Sequence, residues 1–279
     1  VVTGVQTCAL PIWSVGASWR ISQEAFMEPA SSWLSNLTVR ASYGVQGNDN
    51  LGSYYAWQGR FNYGWSNGTR PGAIAGSIEN RLVTWEKNGN LNIGVDATFL
   101  KGRLSAIVEY YNRKTWDMLL NNPLAISSGF SGYDDNVGSM LNQGMEFTMR
   151  AVIFEKPNFH WDATAMLSFN RNKVLSLTSG QDVLNYGSMV IEVGKPIYTF
   201  YLSKSAGVSP ATGKQLYYCY YRYAVDEKGA MVTERCPEYV TDDVSLATMS
   251  KYYYGSRQPL FSGSNASHFN TVKGIDLSF

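Results

Sequence analysis

Leu91-Asn92-Ile93-Gly94-Val95-Asp96-Ala97-Thr98-Phe99 sets an apolar side chain at every odd position and a polar or small one at every even position. Alternation of period two marks a strand whose two faces meet different surroundings, because successive side chains leave the pleat on opposite sides. A tight turn at Lys101-Gly102 follows. The partner segment then sets Leu104, Ala106, Val108 and Tyr110 against Ser105, Glu109, Tyr111 and Arg113, with Ile107 alone out of phase. The two segments read as an antiparallel hairpin.

The same plan extends in both directions. Upstream, Trp13, Val15, Ala17, Trp19 and Ile21 alternate with Ser14, Gly16, Ser18, Arg20 and Ser22. Leu37, Val39, Ala41, Tyr43 and Val45 alternate with Asn36, Thr38, Arg40, Ser42, Gly44 and Gln46. Downstream, Met145, Phe147, Met149 and Ala151 face away from Glu146, Thr148 and Arg150. After a turn at Glu155-Lys156-Pro157-Asn158, Phe159, Trp161, Ala163, Ala165, Leu167 and Phe169 face away from His160, Asp162, Thr164, Ser168 and Asn170. Val272-Lys273-Gly274 reads as a further tight turn, and Ile275, Leu277 and Phe279 open another strand. These runs are about ten residues long, the length with which a tilted strand crosses a bilayer.

Connections fall into two classes. Lys101-Gly102, Glu155–Asn158 and Val272–Gly274 are minimal, whereas residues 47–89, 114–142, 171–195 and roughly 205–258 are long, polar and rich in Gly, Asn, Ser and Tyr. Short turns at one end and long loops at the other are the mark of an outer-membrane barrel, with the short turns periplasmic. A soluble β-sandwich also alternates, so it stands as the competing architecture. Three features favour the barrel: strand length; aromatics at strand ends (Trp13, Tyr43, Phe99, Tyr110, Tyr111, Phe159, Trp161, Phe169); and a polar face carrying Arg40, Asp96, Glu109, Glu146, Arg150 and Asp162, which suits a wet lumen.

Composition agrees. Aromatics make up 14% of the 279 residues and charged residues only 16%, below the roughly 25% of soluble domains. The net charge is +1 and no Lys/Arg run occurs, which argues against a nucleic-acid partner. No apolar run approaches the roughly 20 residues of a spanning helix. A barrel wall needs none, because its alternation keeps mean hydropathy unremarkable.

Residues 1–12 stand apart. Val2-Thr3-Gly4-Val5-Gln6-Thr7-Cys8-Ala9-Leu10-Pro11-Ile12 does not alternate and resembles the translation of a sequencing-adapter read-through. It is set aside as a foreign segment, a short natural turn being the competing reading, and the native start is expected to lie elsewhere. With Cys8 set aside, Cys219 and Cys236 remain, equally compatible with one loop disulfide or with two free thiols.

No catalytic or cofactor motif is legible. His160 and His268 are the only histidines and lie in strand-like stretches, where a rim or lumen position explains them better than metal ligation. Asp134-Asp135 and Asp242-Asp243 read as solvated loop pairs rather than half of a calcium site. Asp96, Glu109, Glu146 and Asp162 read as alternate lumen positions rather than a hydrolytic pair. Gly44-Val45-Gln46-Gly47 has no helix after it to make a phosphate cradle. The functional lead is aromatic. Tyr54, Tyr55, Trp57, Phe61, Tyr63 and Trp65 fall in the first long loop, Phe130 and Tyr133 in the second, and Tyr217, Tyr218, Tyr220, Tyr221 and Tyr223 in the last. Tyr54, Tyr55, Trp57, Trp65, Phe130, Tyr133, Tyr217 and Tyr218 are the candidates to stack on cargo. Packing of the loops on one another, or docking of a lid protein, stays open for the same residues.

A set of short motifs carries a family likeness. Trp85-Glu86-Lys87, Leu91–Asp96, Lys101-Gly102-Arg103-Leu104 and Glu109-Tyr110-Tyr111 resemble the C-terminal half of SusC/RagA-type TonB-dependent transporters. Asn122-Pro123-Leu124, Ser127-Ser128-Gly129-Phe130, Asn136–Glu146 and Gly194-Lys195-Pro196-Ile197 continue the likeness in order. So do Ala206-Gly207-Val208 with Pro210 and Thr212-Gly213, and the closing Lys273–Phe279. The resemblance covers 13–279. It implies part of an all-β, antiparallel transmembrane barrel of twenty-two strands in the outer membrane of Bacteroidetes-type bacteria, without the plug. It also implies TonB contact through a missing N-terminal part, a SusD-like lipoprotein lid, and oligosaccharide or oligopeptide cargo. The expectation is therefore a fragment truncated at both ends, the wall of an active importer and not an enzyme. A passive porin-like channel and a soluble glycan-binding sandwich are the alternatives.

Overall fold

A computed structural model describes residues 13–52, 54–177, 182–271 and 276–278. Segment 1–12, the turn expected at 272–274, and Ile275 and Phe279 lie outside the described residues. In chain order the strands are β1 (Trp13–Arg20), β2 (Leu34–Asn48), β3 (Arg60–Asn67), β4 (Arg70–Ser77), β5 (Glu86–Phe99) and β6 (Leu104–Trp116). Then come β7 (Leu119–Pro123), β8 (Gly132–Asn136), β9 (Ser139–Lys156), β10 (Phe159–Ser176), β11 (Val183–Tyr186) and β12 (Met189–Glu192). The last are β13 (Thr199–Val208), β14 (Gln215–Val225), β15 (Met231–Thr241), helix α1 (Val244–Met249), β16 (Lys251–Ser256), β17 (Phe261–Thr271) and β18 (Asp276–Ser278). Two compact units result, one running to Asp182 and resuming at Pro259, the other Val183–Gln258.

The first unit is built on one eight-stranded sheet in the order β1-β2-β5-β6-β9-β10-β17-β18, antiparallel throughout and, among the described residues, open at both edges. Its register keeps like residues in rows. Trp19, Val39, Val95, Val108, Phe147 and Leu167 form one row. Ser18, Arg40, Gly94, Glu109, Glu146, Ser168 and Ser262 form the neighbouring row, on the opposite face. A one-residue slip would exchange the two faces, so the alternation itself fixes the register. Ile107 falls on the polar face between Asp96 and Thr148.

Connections at one end of the sheet are 100–103, 157–158 and the longer 21–33, which folds as two 3-10 turns. The β5–β6 turn holds Leu100, Lys101 and Gly102 at positive φ (54°, 58° and 96°), and Gly102 alone adopts such a value without strain. At the other end lie 49–85, 117–138 and 177–260. The inequality read from the sequence holds, but the long connections are more ordered than expected. The first contains the β3–β4 hairpin, the second the β7–β8 hairpin, and the third the whole second unit.

The strands are also longer than the alternation indicates: β2, β5 and β6 have 15, 14 and 13 residues, and β9 and β10 have 18 each. Toward the loop end both faces turn polar, as at Asn142-Gln143 paired with Asn172-Arg171. Periodicity loses its contrast there while the backbone ladder continues.

The second unit is a six-stranded sheet, β11-β12-β13-β14-β15 with β16 paired to β13. Its apolar interior includes Leu184, Val190, Ile191 and Ile197, and a cluster of Cys219, Leu246 and Ala247 packed by Tyr217, Tyr221 and Tyr239. Asp243 caps α1, accepting from the Ser245 and Leu246 amides at 2.8 and 3.2 Å.

Candidate functional site: an apolar belt, a charged wall and aromatic loops

The apolar face of the eight-stranded sheet is uncovered. Trp13, Val15, Trp19, Ile93, Val95, Met145, Met149, Leu167 and Phe169 are each between 36% and 64% exposed. Each such side chain left in water forgoes about 1.5–3 kcal/mol of burial, so a face of this extent calls for an apolar surrounding. A sandwich would bury such a face beneath a second sheet, whereas these side chains remain exposed. Aromatic rings bound the belt on both sides. At the short-turn end, Trp33 stacks on Phe99 with centroids 5.9 Å apart, Phe154 on Trp161 at 5.8 Å, and Trp161 on Phe269 at 5.2 Å. At the loop end, Trp13 meets Tyr43 at 5.6 Å and Phe169 meets Phe261 at 6.4 Å. From Trp161 to Phe169 on β10 is eight steps of about 3.3 Å; with the usual tilt of about 40° this rises about 20 Å, and the rings fill the rest of a roughly 25 Å apolar band.

The opposite face is charged. Arg40 donates from Nε to Asp96 Oδ2 at 3.0 Å and from Nη2 to Glu109 Oε1, tying β2, β5 and β6 together. It reaches Glu109 across Gly94, where a Cβ would lie 2.8 Å from the guanidinium carbon. Glu146 sits directly opposite Glu109 in the ladder. Nearer the short turns, Asp162 meets Arg150 at 3.3 Å and both histidines, His160 Nε2 and His268 Nδ1, each at 3.3 Å. The polar phase of His160 read from the sequence is thus seen as a wall position beside Asp162, and His268 reaches the same carboxylate from β17. Among the described residues no group of three or more His, Cys, Asp or Glu has metal-holding geometry.

The candidate aromatics separate into three settings. Tyr54, Tyr55 and Trp65 are 97%, 58% and 56% exposed, and Trp57 is half-buried. Trp65 lies on β3, whose hairpin with β4 carries Phe61 and Tyr63 as well, with almost every side chain in solvent. Phe130 and Tyr133 are half-buried beside β8, and Tyr133 donates to Asp135 Oδ2 at 3.2 Å. Tyr217 and Tyr218 belong to the second unit. The Tyr217 ring packs on the Cys219 cluster, whereas Tyr218 lies on the other face beneath Lys204, whose Nζ is 4.4 Å from its ring centre. Six of the eight thus belong to the first unit and two to the second.

The Asp pairs have local tasks. Asp135 accepts from Asn80 Nδ2 at 3.2 Å, and Asp242 pairs with Lys214 at 2.9 Å. Cys219 is buried and Cys236 half-buried, both as thiols. Burial pushes the Cys219 thiol up. The Asn136–Glu146 motif also gains a reason. The Asn136 amide donates to the Thr84 and Asp117 carbonyls at 2.9 and 2.8 Å and accepts from the Thr84 amide at 2.7 Å. Val137 is fully buried, and Gly138, at φ 84°, leaves no room for a Cβ beside the Ser176 carbonyl.

A group missed by sequence reading lies in the second unit. Lys195 Nζ sits 3.0 Å above the Tyr253 ring, Lys195 pairs with Glu192 at 2.9 Å, and Tyr253 donates to Glu192 at 2.5 Å. Burial pushes the Glu192 carboxyl up, but the hydrogen bonds from Tyr253 and Lys195 prevail and hold it below its ordinary value. Tyr220 is half-buried beside Tyr201 and Tyr221, and its partial burial pushes its hydroxyl up to about 12. On a binary apolar/polar scale Tyr counts for neither face, so these strands show no alternation.

Residues 9–267 match the family described as TonB dependent receptor-like, beta-barrel. The match includes 9–12 of the segment set aside above. A TonB-dependent receptor of Formosa agariphila is 36% identical over 167 residues, 59% of this chain and 17% of that protein. TonB-dependent receptor SusC of Bacteroides thetaiotaomicron is 30% identical over 181 residues, 61% of this chain and 17% of its own length. The solved structure of the RagAB peptide importer in the "closed-closed" state is similar at a TM-score of 0.77 and 29% identity, covering 96% of this chain and 28% of that one. The chain thus spans about a fifth of the length of the curated relatives it matches. With its belt, its charged wall and these relatives, the chain belongs to the TonB-dependent receptor β-barrel family.

Proposed function

We propose that this chain is part of the wall of an outer-membrane importer that takes up oligosaccharides or oligopeptides with energy delivered through TonB, and that it performs no catalysis. The observation that carries the reading is one sheet whose opposite faces suit lipid and water, the apolar face bounded by two aromatic bands. The named relatives add the direction: SusC is a TonB-dependent receptor and RagAB a peptide importer. Residues 13–279 form the barrel portion, and the long loops face the cell exterior. Edges of the open sheet carry backbone groups that lipid does not satisfy, so the wall is closed by further strands of the intact protein.

Each part then has a task. Arg40, Asp96, Glu109 and the Asp162 group keep the lumen wall hydrated and hold neighbouring strands in register. Tyr54, Tyr55, Trp57, Trp65, Phe130, Tyr133 and Tyr218 offer stacking surface to cargo or to a SusD-like lipoprotein lid, while Tyr217 packs on the Cys219 cluster of the second unit. The discriminating experiment is uptake of labelled cargo by cells expressing the intact transporter, with and without TonB. Loss of uptake with retained surface binding is expected. Uptake that continues without TonB would instead mark a passive channel.

A further inference from the structure

Two lysine–tyrosine–carboxylate groups occur in the second unit, and they differ in tightness. Around Lys195 every contact is short: 3.0 Å to the Tyr253 ring centre, 2.9 Å to Glu192, and 2.5 Å from Tyr253 to Glu192. Around Lys204 the walls are firm but the cation is loose. Tyr252 donates to Glu238 Oε2 at 2.7 Å, and Tyr220 abuts Tyr252 edge-on at 5.3 Å. Tyr220 is itself anchored by its hydroxyl to the Lys251 carbonyl at 2.7 Å and by its amide to Ser250 Oγ at 3.0 Å. Lys204 Nζ, in contrast, stands 3.4 and 3.5 Å from the two Glu238 oxygens and 4.4 and 5.2 Å from the Tyr218 and Tyr252 ring centres. Charge-assisted contacts are ordinarily about 2.7–2.9 Å. The Lys204 and Glu238 side chains are 40% and 43% exposed, so the pair is screened and weak. Two aromatic faces and a carboxylate form a clip for an ammonium ion, and here a flexible lysine fills it without closing on it.

We propose that the clip of Tyr218, Tyr252 and Glu238 is a binding site for a primary ammonium group of the cargo, which Lys204 occupies from within the chain until the cargo displaces it. The proposal rests on the import function above and names the ligand chemistry for it. A primary ammonium is carried by a lysine side chain or by an amino sugar. The group that occupies the clip in the structure, Lys204 Nζ, is itself a primary ammonium. Glu238 is ready for the exchange, since its hydrogen bonds from Tyr252 and Lys204 hold its carboxyl below the ordinary range and keep it ionised.

The test is equilibrium binding to the purified intact transporter, which does not depend on TonB and so stands apart from the uptake experiment. Two probes are used: a glycyl-lysyl-glycine peptide blocked at both ends, and a glucosamine trimer. Their N-acetylated forms are the controls. The ammonium form of at least one probe should bind about fivefold or more tightly than its acetylated control, and whichever probe does so identifies the source as peptide or amino sugar. Lys204→Met, which keeps the apolar stem but vacates the clip, should tighten that binding by about fivefold. Glu238→Gln should abolish the preference for the charged form. A purely structural Lys204 gives the opposite sign, with binding unchanged or weakened in Lys204→Met. That result, or equal binding of charged and acetylated forms of both probes, overturns the proposal. Retention of the β13–β16 hydrogen-exchange protection in each variant shows that the unit remains folded.

Discussion

Replacing Val95 by arginine probes the belt where it should be most sensitive. Val95 is the central member of the outward series Leu91, Ile93, Val95, Ala97, Phe99 on β5, and 36% exposed. Four residue steps separate it from Phe99 in the short-turn aromatic band, about 13 Å along the strand and about 10 Å of height after tilt. That places it near the middle of an apolar band about 25 Å tall, where a lipid-facing Arg costs about 2–4 kcal/mol. Thr148→Arg is the matched control. It lies on the charged face, beside Ile107 and Met166 and two residues along β9 from Glu146, where an Arg meets a wet surface. Its expected effect is within about 1 kcal/mol. The assay is urea unfolding of the intact transporter in lipid vesicles, read by intrinsic fluorescence and by loss of the folded band on unheated gels. A clear fall in midpoint for Val95→Arg with little change for Thr148→Arg is expected. Equal sensitivity, or greater loss for Thr148→Arg, would refute the assignment of the two faces.

Three further outcomes follow from particular contacts. Gly94→Ala puts a Cβ 2.8 Å from the Arg40 guanidinium carbon and displaces it from Glu109. A loss of about 1 kcal/mol is expected, and a double-mutant cycle with Glu109→Gln should be non-additive; additivity would separate Gly94 from the ion pair. Glu192 has its carboxyl held below the ordinary 4.5, so its contribution is present above about pH 4.5 and is lost as pH falls through the lower folded value. Hydrogen-exchange protection of the second unit, taken relative to the intrinsic exchange rate at each pH, should therefore fall below about pH 4.5, and Glu192→Gln should flatten that dependence. Alanine at Trp57 or Trp65 should weaken cargo or lid binding by about two- to tenfold without altering stability, whereas Tyr217→Ala should lower the stability of the second unit through the Cys219 cluster. Unchanged affinity in both tryptophan variants would remove these loops from the binding surface.

Much of the first unit can be read directly from the sequence, because its two faces meet opposite solvents. Val39, Val95, Val108 and Phe147 are apolar for the same reason that Arg40, Glu109 and Glu146 are not, and so β1, β2, β5, β6, β9 and β10, their register and the unequal connections leave a period-two trace, whereas β3, β4, β7, β8 and β17 do not. The trace fades where both faces are wet, which is why β9 and β10 run on past the alternation. It vanishes in the second unit, where Tyr217 to Tyr221 serve core and surface alike and sequence reading gives a loop instead of β14. The candidate site suffers from the same ambiguity. An aromatic side chain looks alike in sequence whether it stands free as Tyr54 does, braces a core as Tyr217 does, or carries a lysine as Tyr218 does. The Lys204 clip joins residues of β13, β14, β15 and β16, and no spacing along the chain announces it.

Orientation of the wall is tested most directly by surface labelling. In the intact transporter with Cys219 and Cys236 replaced by serine, single cysteines are introduced as Lys101→Cys, Pro157→Cys and Ser131→Cys, all at exposed positions. Intact cells are then treated with a membrane-impermeant thiol reagent. Labelling at position 131 with protection at 101 and 157 until the outer membrane is opened is the expected result. Labelling at 101 and 157 with protection at 131 would contradict it, and labelling at none even after permeabilising the outer membrane would contradict the placement of this chain as its wall.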